Sequence, residues 1–328
     1  MNVGRLGLVQ AGQPSKQCPT CPTLAEMTAD ATATAADIMA GKTAYARGEK
    51  LTGTLVPVTK IDVAAERIKF AHSTFGEVPE IFDFSNVKDA SNMFYSCVPL
   101  TRMPQINWNS LLVARNMFRG CTKLDLELPE VVPFVTDFYV AFDSCSIKNI
   151  SGFSAPQCQD ARFFFQYSSV ISIVSISLPV CTALQGAFSH CRGLTTIGEI
   201  NSPLGKFYQD MFLYCNSLAS IGKLIFDNCN NATNMFKGCS ALSSIGDVIF
   251  LHTSLSLADS PNIDEDTLRR FGGFANAAGE SGVAPLKTLG LPAAALTFNT
   301  AAQTYLETEG IIAKLTDENW TVNFADSM

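Results

Sequence analysis

Between Met93 and Leu242 one apolar signature returns at a fixed distance along the chain. It is a phenylalanine, a cysteine three residues on and a leucine three residues after that, with polar or small residues between. The clearest copies are Met93-Phe94 with Cys97 and Leu100, Met117-Phe118 with Cys121 and Leu124, and Ala187-Phe188 with Cys191 and Leu194. Met211-Phe212 with Cys215 and Leu218, and Met235-Phe236 with Cys239 and Leu242, complete that set. Degenerate copies stand at Ala141-Phe142 with Cys145 and at Phe164-Phe165 with Ser168. The anchoring positions Phe94, Phe118, Phe142, Phe165, Phe188, Phe212 and Phe236 are separated by 24, 24, 23, 23, 24 and 24 residues. A second column lies seven residues before the ring, at Cys158, Cys181 and Cys229, with Gly205 in the same place.

A unit of that length cannot close a core alone, so each must stack its ring, thiol and leucine on those of its neighbours. The pattern predicts seven units of a β-rich solenoid. Segments such as Leu194–Ile197, Leu218–Ile221 and Leu242–Ile245 are its expected strands, with ends inward and middles in solvent. Their solvent row reads Thr101, Arg102, Asp125, Lys148, Asn149, Ser172, Thr195, Thr196, Ala219, Ser220, Ser243 and Ser244. These short, mostly uncharged side chains suit hydrogen bonding to a glycan or another protein. Nine of the eleven cysteines fall in the two columns, which favours buried free thiols over a disulfide scaffold.

Phe-x-x-Cys-x-x-Leu-x-x-Ile at this period resembles the BspA-like leucine-rich repeats of bacterial surface and phage proteins. The resemblance spans about half the chain, is carried best by the last three units, and implies a binding surface rather than a particular ligand.

The flanks are organised differently. Residues 1–27, with Pro14, Pro19 and Pro22, read as an extended docking tail. Residues 28–60 predict a short helical turn ending at Gly41, then strands at Ala44–Ala46 and Leu51–Thr54 joined through Gly48. This stretch resembles a short module of phage tail and fibre proteins through Ala36, Asp37, Ile38, Gly41, Lys42, Ala44, Tyr45, Gly48, Gly53 and Thr54. The resemblance implies attachment and oligomerisation, most simply as a trimer, through Asp37, Ile38, Gly41, Tyr45, Gly48, Gly53 and Thr54. The solenoid is expected over 61–254 and an α/β cap over 255–328. In that cap Asp264-Glu265-Asp266 starts a helix running towards Ala278, a second helix covers Thr300–Glu309, and Trp320–Phe324 forms a strand.

Composition narrows the function. Charged residues make up only 16% of the chain, and the net charge of −7 leaves no basic footprint for nucleic acid or anionic membranes. Residues 1–10 lack an apolar stretch long enough for a signal peptide. The expectation is a chain made in a host cytoplasm and working in a virion, with itself, other virion proteins and a host surface glycan or protein as partners. A tail fibre or host-recognition appendage comes first, a capsid-decorating head fibre second and a bacterial surface adhesin third.

Catalytic signals are weak. His72, His190 and His252 are isolated, and a dyad of His190 with Cys191 is disfavoured because the same thiol column recurs without histidine. Cys18 and Cys21 form half a zinc site with no second pair nearby. Carboxylates such as Asp125, Glu127 and Glu199 are too scattered to name as a glycosidase pair. No catalytic residue, metal or cofactor is assigned.

Overall fold

The computed structural model describes residues 43–46, 49–52, 60–64, 69–80, 82–102, 106–125, 127–249, 253–271, 295–317 and 320–326. The chain divides into two compact units, Met1–Lys60 and Ile61–Met328. In the first, β1 (Thr43–Ala46) and β2 (Glu49–Thr52) form an antiparallel hairpin, pairing Tyr45 with Lys50. Tyr45 is thus placed on β1. The expected helical turn, Asp37, Ile38, Gly41, Gly48, Gly53, Thr54, Cys18 and Cys21 lie outside the described residues.

The second unit is a parallel β-solenoid. Its axis is a ladder of stacked rings, with neighbouring centroids between 5.3 and 5.7 Å apart and planes within 17° of parallel. The ladder has eight rungs rather than seven, because Phe70 lies 5.3 Å from Phe94 at an angle of 6°. That first unit escapes the sequence pattern because Ser73 stands where later units have cysteine and Gly76 where they have leucine. β3 (Ile61–Asp62) and β4 (Phe82–Asp83) pair in parallel beside it.

The thiol column has a defined task. Each sulfhydryl donates to the carbonyl of the phenylalanine one unit earlier: Cys121 to Phe94 at 3.0 Å, Cys145 to Phe118 at 3.0 Å, Cys191 to Phe165 at 3.0 Å and Cys239 to Phe212 at 3.2 Å. Those carbonyls already accept a backbone N–H of their own unit, from Cys97, Cys121, Ser168 and Cys215, so the thiol occupies the second lone pair of a buried acceptor. Ser168 takes the same role with its hydroxyl, donating to Phe142. All nine cysteines in the described residues are free and buried. In the second column the break at Gly205 is filled by Tyr208, whose ring lies in the space a side chain there would need and whose hydroxyl donates to the Ser202 carbonyl at 2.7 Å.

Backbone turns on either side of each ring are left-handed. Two residues before it, Asn92, Asn116, Val140, Phe163, Gly186, Asp210 and Asn234 all have φ between 51 and 59°. Two residues after it, Ser96, Gly120, Ser144, Tyr167, His190, Tyr214 and Gly238 do the same with φ between 55 and 78°. The variety at the second position reflects a backbone constraint met by several residue types.

The main sheet contains β5 (Asn149–Ile150) and β6 (Phe153–Ser154), both paired with β7 (Ser172–Ser177), then β8 (Thr196–Asn201), β9 (Ser220–Ile225) and β10 (Ser244–Ile249). These strands start about two residues later than the leucine-led segments the sequence marks. Their buried residues are three apart, at Ile173 and Ile176, Ile197 and Ile200, and Ile221 and Leu224, with two outward residues between. Strict alternation would space them by two. Every strand carries the additional residue, so the register is the same on both sides of it, and the pairing skips it at Val174, Gly198, Gly222 and Gly246.

At that position the units approach closely: a Cβ on Gly222 would collide with the Gly198 carbonyl, one on Gly198 with that of Val174, and one on Gly246 with that of Gly222. Gly222→Ala should therefore lose about 1–3 kcal/mol of stability through overpacking against backbone that cannot yield. Urea denaturation checks this against Ser175→Ala on β7, two strands away, for which about 0.5 kcal/mol or less is expected. A neutral Gly222→Ala would show that the strands are not so close.

The far end of the solenoid is closed by α1 (Glu265–Phe271). Asp264 caps it by accepting the Thr267 N–H at 2.7 Å. Thr267 Oγ in turn accepts from the Ile245 N–H at 3.0 Å and donates to the Ile245 carbonyl at 3.2 Å, taking the place of a further strand. α1 is described as far as Phe271, and the expected continuation towards Ala278 lies outside the described residues. β11 (Leu255–Leu257), β12 (Ala295–Phe298) and β13 (Thr321–Phe324) make a small parallel sheet. The helix expected over Thr300–Glu309 is a 3-10 turn at Thr300–Ala302 followed by α2 (Gln303–Thr308). A further helix, α3 (Ile311–Asp317), is not marked in the sequence reading, since seven residues with Ile311 and Leu315 inward give too short a period to register.

Candidate functional site

The sheet is continuous through β7 to β10 and interrupted before them. In the third unit Ser151-Gly152 separates β5 from β6 and pairs with nothing opposite Val174 and Ser175. In the second unit Asp125, Glu127 and Leu128 form no strand, and Pro129, which has no N–H, follows directly. The missing pairing leaves a cleft of about 530 Å³ on the strand side.

Its polar lining comes from three units: Asp125 and Glu127 from one, Lys148, Asn149 and Ser151 from the next, and Ser172 from the third. Leu128, Ile150 and Val174 supply apolar wall, and Val174 is 61% exposed at the edge of β7. The backbone under the lysine is fixed, because the Lys148 carbonyl accepts the Ile171 N–H at 2.6 Å. Ser172 Oγ donates to Asn149 Oδ1 at 2.9 Å, orienting that amide across the two units. The side chains of Asp125, Glu127, Lys148 and Asn149 all reach solvent.

Of the row marked in the sequence, the structure brings Asp125, Lys148, Asn149 and Ser172 together in this cleft. The rest lie elsewhere. Thr196 is exposed on β8, and Ser220 and Ser244 are half-buried on β9 and β10, forming a hydroxyl ladder in register. Thr101, Thr195 and Ser243 spend their hydroxyls internally, donating to the carbonyls of Gly76, Ile171 and Ala219 one unit back. Arg102 sits at a bridge to Glu77, in the first units of the solenoid. Glu127, Ser151 and Val174 belong to the cleft and were not in that row. The signal available for them was the Ser-Gly interruption and the proline, which mark a place where pairing fails.

The core columns are also placed: Phe94, Cys97, Phe118, Cys121, Phe142, Cys145, Phe165, Phe188, Cys191, Phe212, Cys215, Phe236 and Cys239 are all buried. Burial pushes the Cys191 thiol up to about 12, leaving it protonated and unsuited to nucleophilic work beside His190. His190 instead stacks on Tyr167 at 4.5 Å and meets Tyr214 at 5.2 Å, with Nδ1 at 2.8 Å from Ser189 Oγ. Its pKa is lowered by burial and by Arg192. On the turns Tyr139 is sandwiched between the guanidiniums of Arg115 and Arg162, at 4.7 and 4.9 Å. Each arginine is itself held by a carboxylate, Asp137 and Asp160 respectively. Among the described residues no three His, Cys, Asp or Glu side chains gather as a metal site, and no helix is long and apolar enough to cross a membrane.

A model of the BspA type leucine rich repeat region matches residues 90–219 and 216–271, in six copies. Together those matches cover more than half of the 328 residues. The chain belongs to the BspA-type leucine-rich-repeat family. Neither a curated protein nor a solved structure matches it. The BspA-type match begins after Phe70, so the structure adds one degenerate unit in front of it, and it ends at Phe271, so it takes in the capping helix α1.

Proposed function

We propose that this BspA-type repeat protein is a non-catalytic binding protein that engages a host surface glycan or protein through the strand side of its solenoid. The supporting observation is the cleft at Asp125, Glu127, Lys148 and Ser172, where hydrogen-bonding groups of both charges line the interruption between β5 and β6 of the main sheet. The same reading makes the protein a virion appendage, a tail fibre first and a capsid-decorating head fibre second. Support for that part is the likeness of Ala36–Thr54 to the phage tail module. A hairpin of two four-residue strands is also too small to be stable alone, which fits assembly with copies of itself, most simply three. A bacterial surface adhesin is the alternative to a virion appendage, favoured by the repeat family itself.

Gold-labelled antibody on virus particles tests the placement: decoration of tail tips is expected, decoration of capsids selects the head fibre, and label confined to bacterial envelopes selects the adhesin. The binding role is tested by the attachment of fluorescent full-length protein to the host cells. Asp125→Asn with Lys148→Ala should remove most of that attachment while leaving the thermal midpoint unchanged. Attachment indifferent to both substitutions sinks the assignment of the cleft.

A further inference from the structure

We infer that the ligand of this cleft is a sugar residue carrying a free amino group, within a larger glycan. The inference rests on the binding reading above and adds the chemistry of the ligand.

Size comes first. A volume of about 530 Å³ lies in the roughly 300–1,000 Å³ range of clefts that enclose small ligands. A protein partner needs an extended patch of about 800 Å² on each side, which a cleft of this size does not provide by itself. Lining chemistry comes second. The amide of Asn149 and the hydroxyls of Ser151 and Ser172 match a ring bearing hydroxyl groups, while Leu128 and Val174 match its apolar C–H face. Charge decides the rest. Two carboxylates, Asp125 and Glu127, stand against the single ammonium of Lys148, so the cleft favours a cation over an anion. An ammonium group on the sugar would form charge-assisted hydrogen bonds with those carboxylates, about twice as strong as neutral ones. An N-acetylated sugar has the same ring and hydroxyls without that charge, and a uronic acid would be repelled.

The experiment is calorimetric titration of the full-length protein with a β-1,4-linked glucosamine tetrasaccharide and with its fully N-acetylated counterpart. The titration is run at about pH 5.5, below the ordinary amine range, so that the sugar amine carries its proton. The amino form is expected to bind on the order of tenfold more tightly, the effect of one charge-assisted contact. Asp125→Asn with Glu127→Gln should abolish that preference, since both side chains are exposed and carry no part of the core. Attraction of a polycation to the protein's general negative charge would persist in this variant, and such persistence would overturn the inference. Equal affinity for the two sugars would overturn it too, as would binding of neither, and both results would leave the binding reading intact if host attachment still depended on Lys148. Attachment independent of the cleft removes both.

Discussion

Raising the pH above about 9 is expected to unfold the solenoid cooperatively before its thiols ionise. Burial pushes the sulfhydryls of Cys121, Cys191, Cys229 and Cys239 from an ordinary value of 9.0 up to about 12. Cys145 and Cys215 are raised by burial as well, and Cys158 chiefly by its hydrogen bond with Cys181. A thiol whose folded pKa lies above its unfolded one keeps its proton in the folded state and loses it on unfolding. Its contribution is fully present below pH 9 and declines as pH rises towards 12. Each such group removes about 1.4 kcal/mol per pH unit in that window, so the four thiols together remove on the order of 5 kcal/mol per unit. A domain is stable by only about 5–15 kcal/mol, so collapse is expected within roughly one to three units above pH 9.

Circular dichroism and thiolate absorbance, followed together against pH, should change in one step. Cys191→Ser supplies the control. Its hydroxyl takes the hydrogen bond that Ser168 already makes one unit earlier, and it removes one titrating group, so the alkaline midpoint should rise. Gradual appearance of thiolate near pH 9 in a protein that keeps its native spectrum would show that these sulfhydryls are not enclosed.

How far the sequence reveals this molecule depends on how directly each feature follows from side-chain size. The ring and thiol columns are visible because each stacked layer must repeat the volume below it, so Phe188, Cys191 and Leu194 reappear as Phe212, Cys215 and Leu218. The first layer is hidden because Phe70 sits with Ser73 and Gly76, which preserve the backbone path without the pattern. The strands begin later than the sequence suggests because the unpaired position at Val174, Gly198 and Gly222 spaces the inward residues by three, a period belonging to neither an ordinary strand nor a helix.

Half of the cleft was legible, in Asp125, Lys148, Asn149 and Ser172, since outward positions of a repeat can be counted from its anchor. That these four converge, while Thr195 and Ser243 turn back to the carbonyls beneath them, depends on where the sheet fails to pair. Pairing failure at Ser151-Gly152 is a property of two neighbouring units together, and a repeat read one unit at a time does not display it.

Truncating the ring column in its middle should have the largest effect of any single substitution. Phe165 stacks on Phe142 at 5.5 Å and Phe188 at 5.5 Å, and Phe164 lies against it at 4.2 Å. Phe165→Ala is expected to cost about 3–5 kcal/mol, the transfer term of the ring plus the cavity it leaves. Part of that loss is the two stacking contacts, worth about 0.5–1.5 kcal/mol each beyond the area they bury. Because each unit is held only by its neighbours, the damage falls on the coupling between the two halves as much as on the unit itself. Denaturant unfolding should consequently separate into two steps, with the strands β8 to β10 and α1 persisting after the earlier units have opened. Phe75→Ala, at a ring 41% exposed, should cost about 0.5 kcal/mol or less. If Phe165→Ala cost no more than Phe75→Ala, the rings would not form the shared interior on which the cleft is built, because Lys148 and Ser172 belong to the two units that the stack of Phe142 on Phe165 joins.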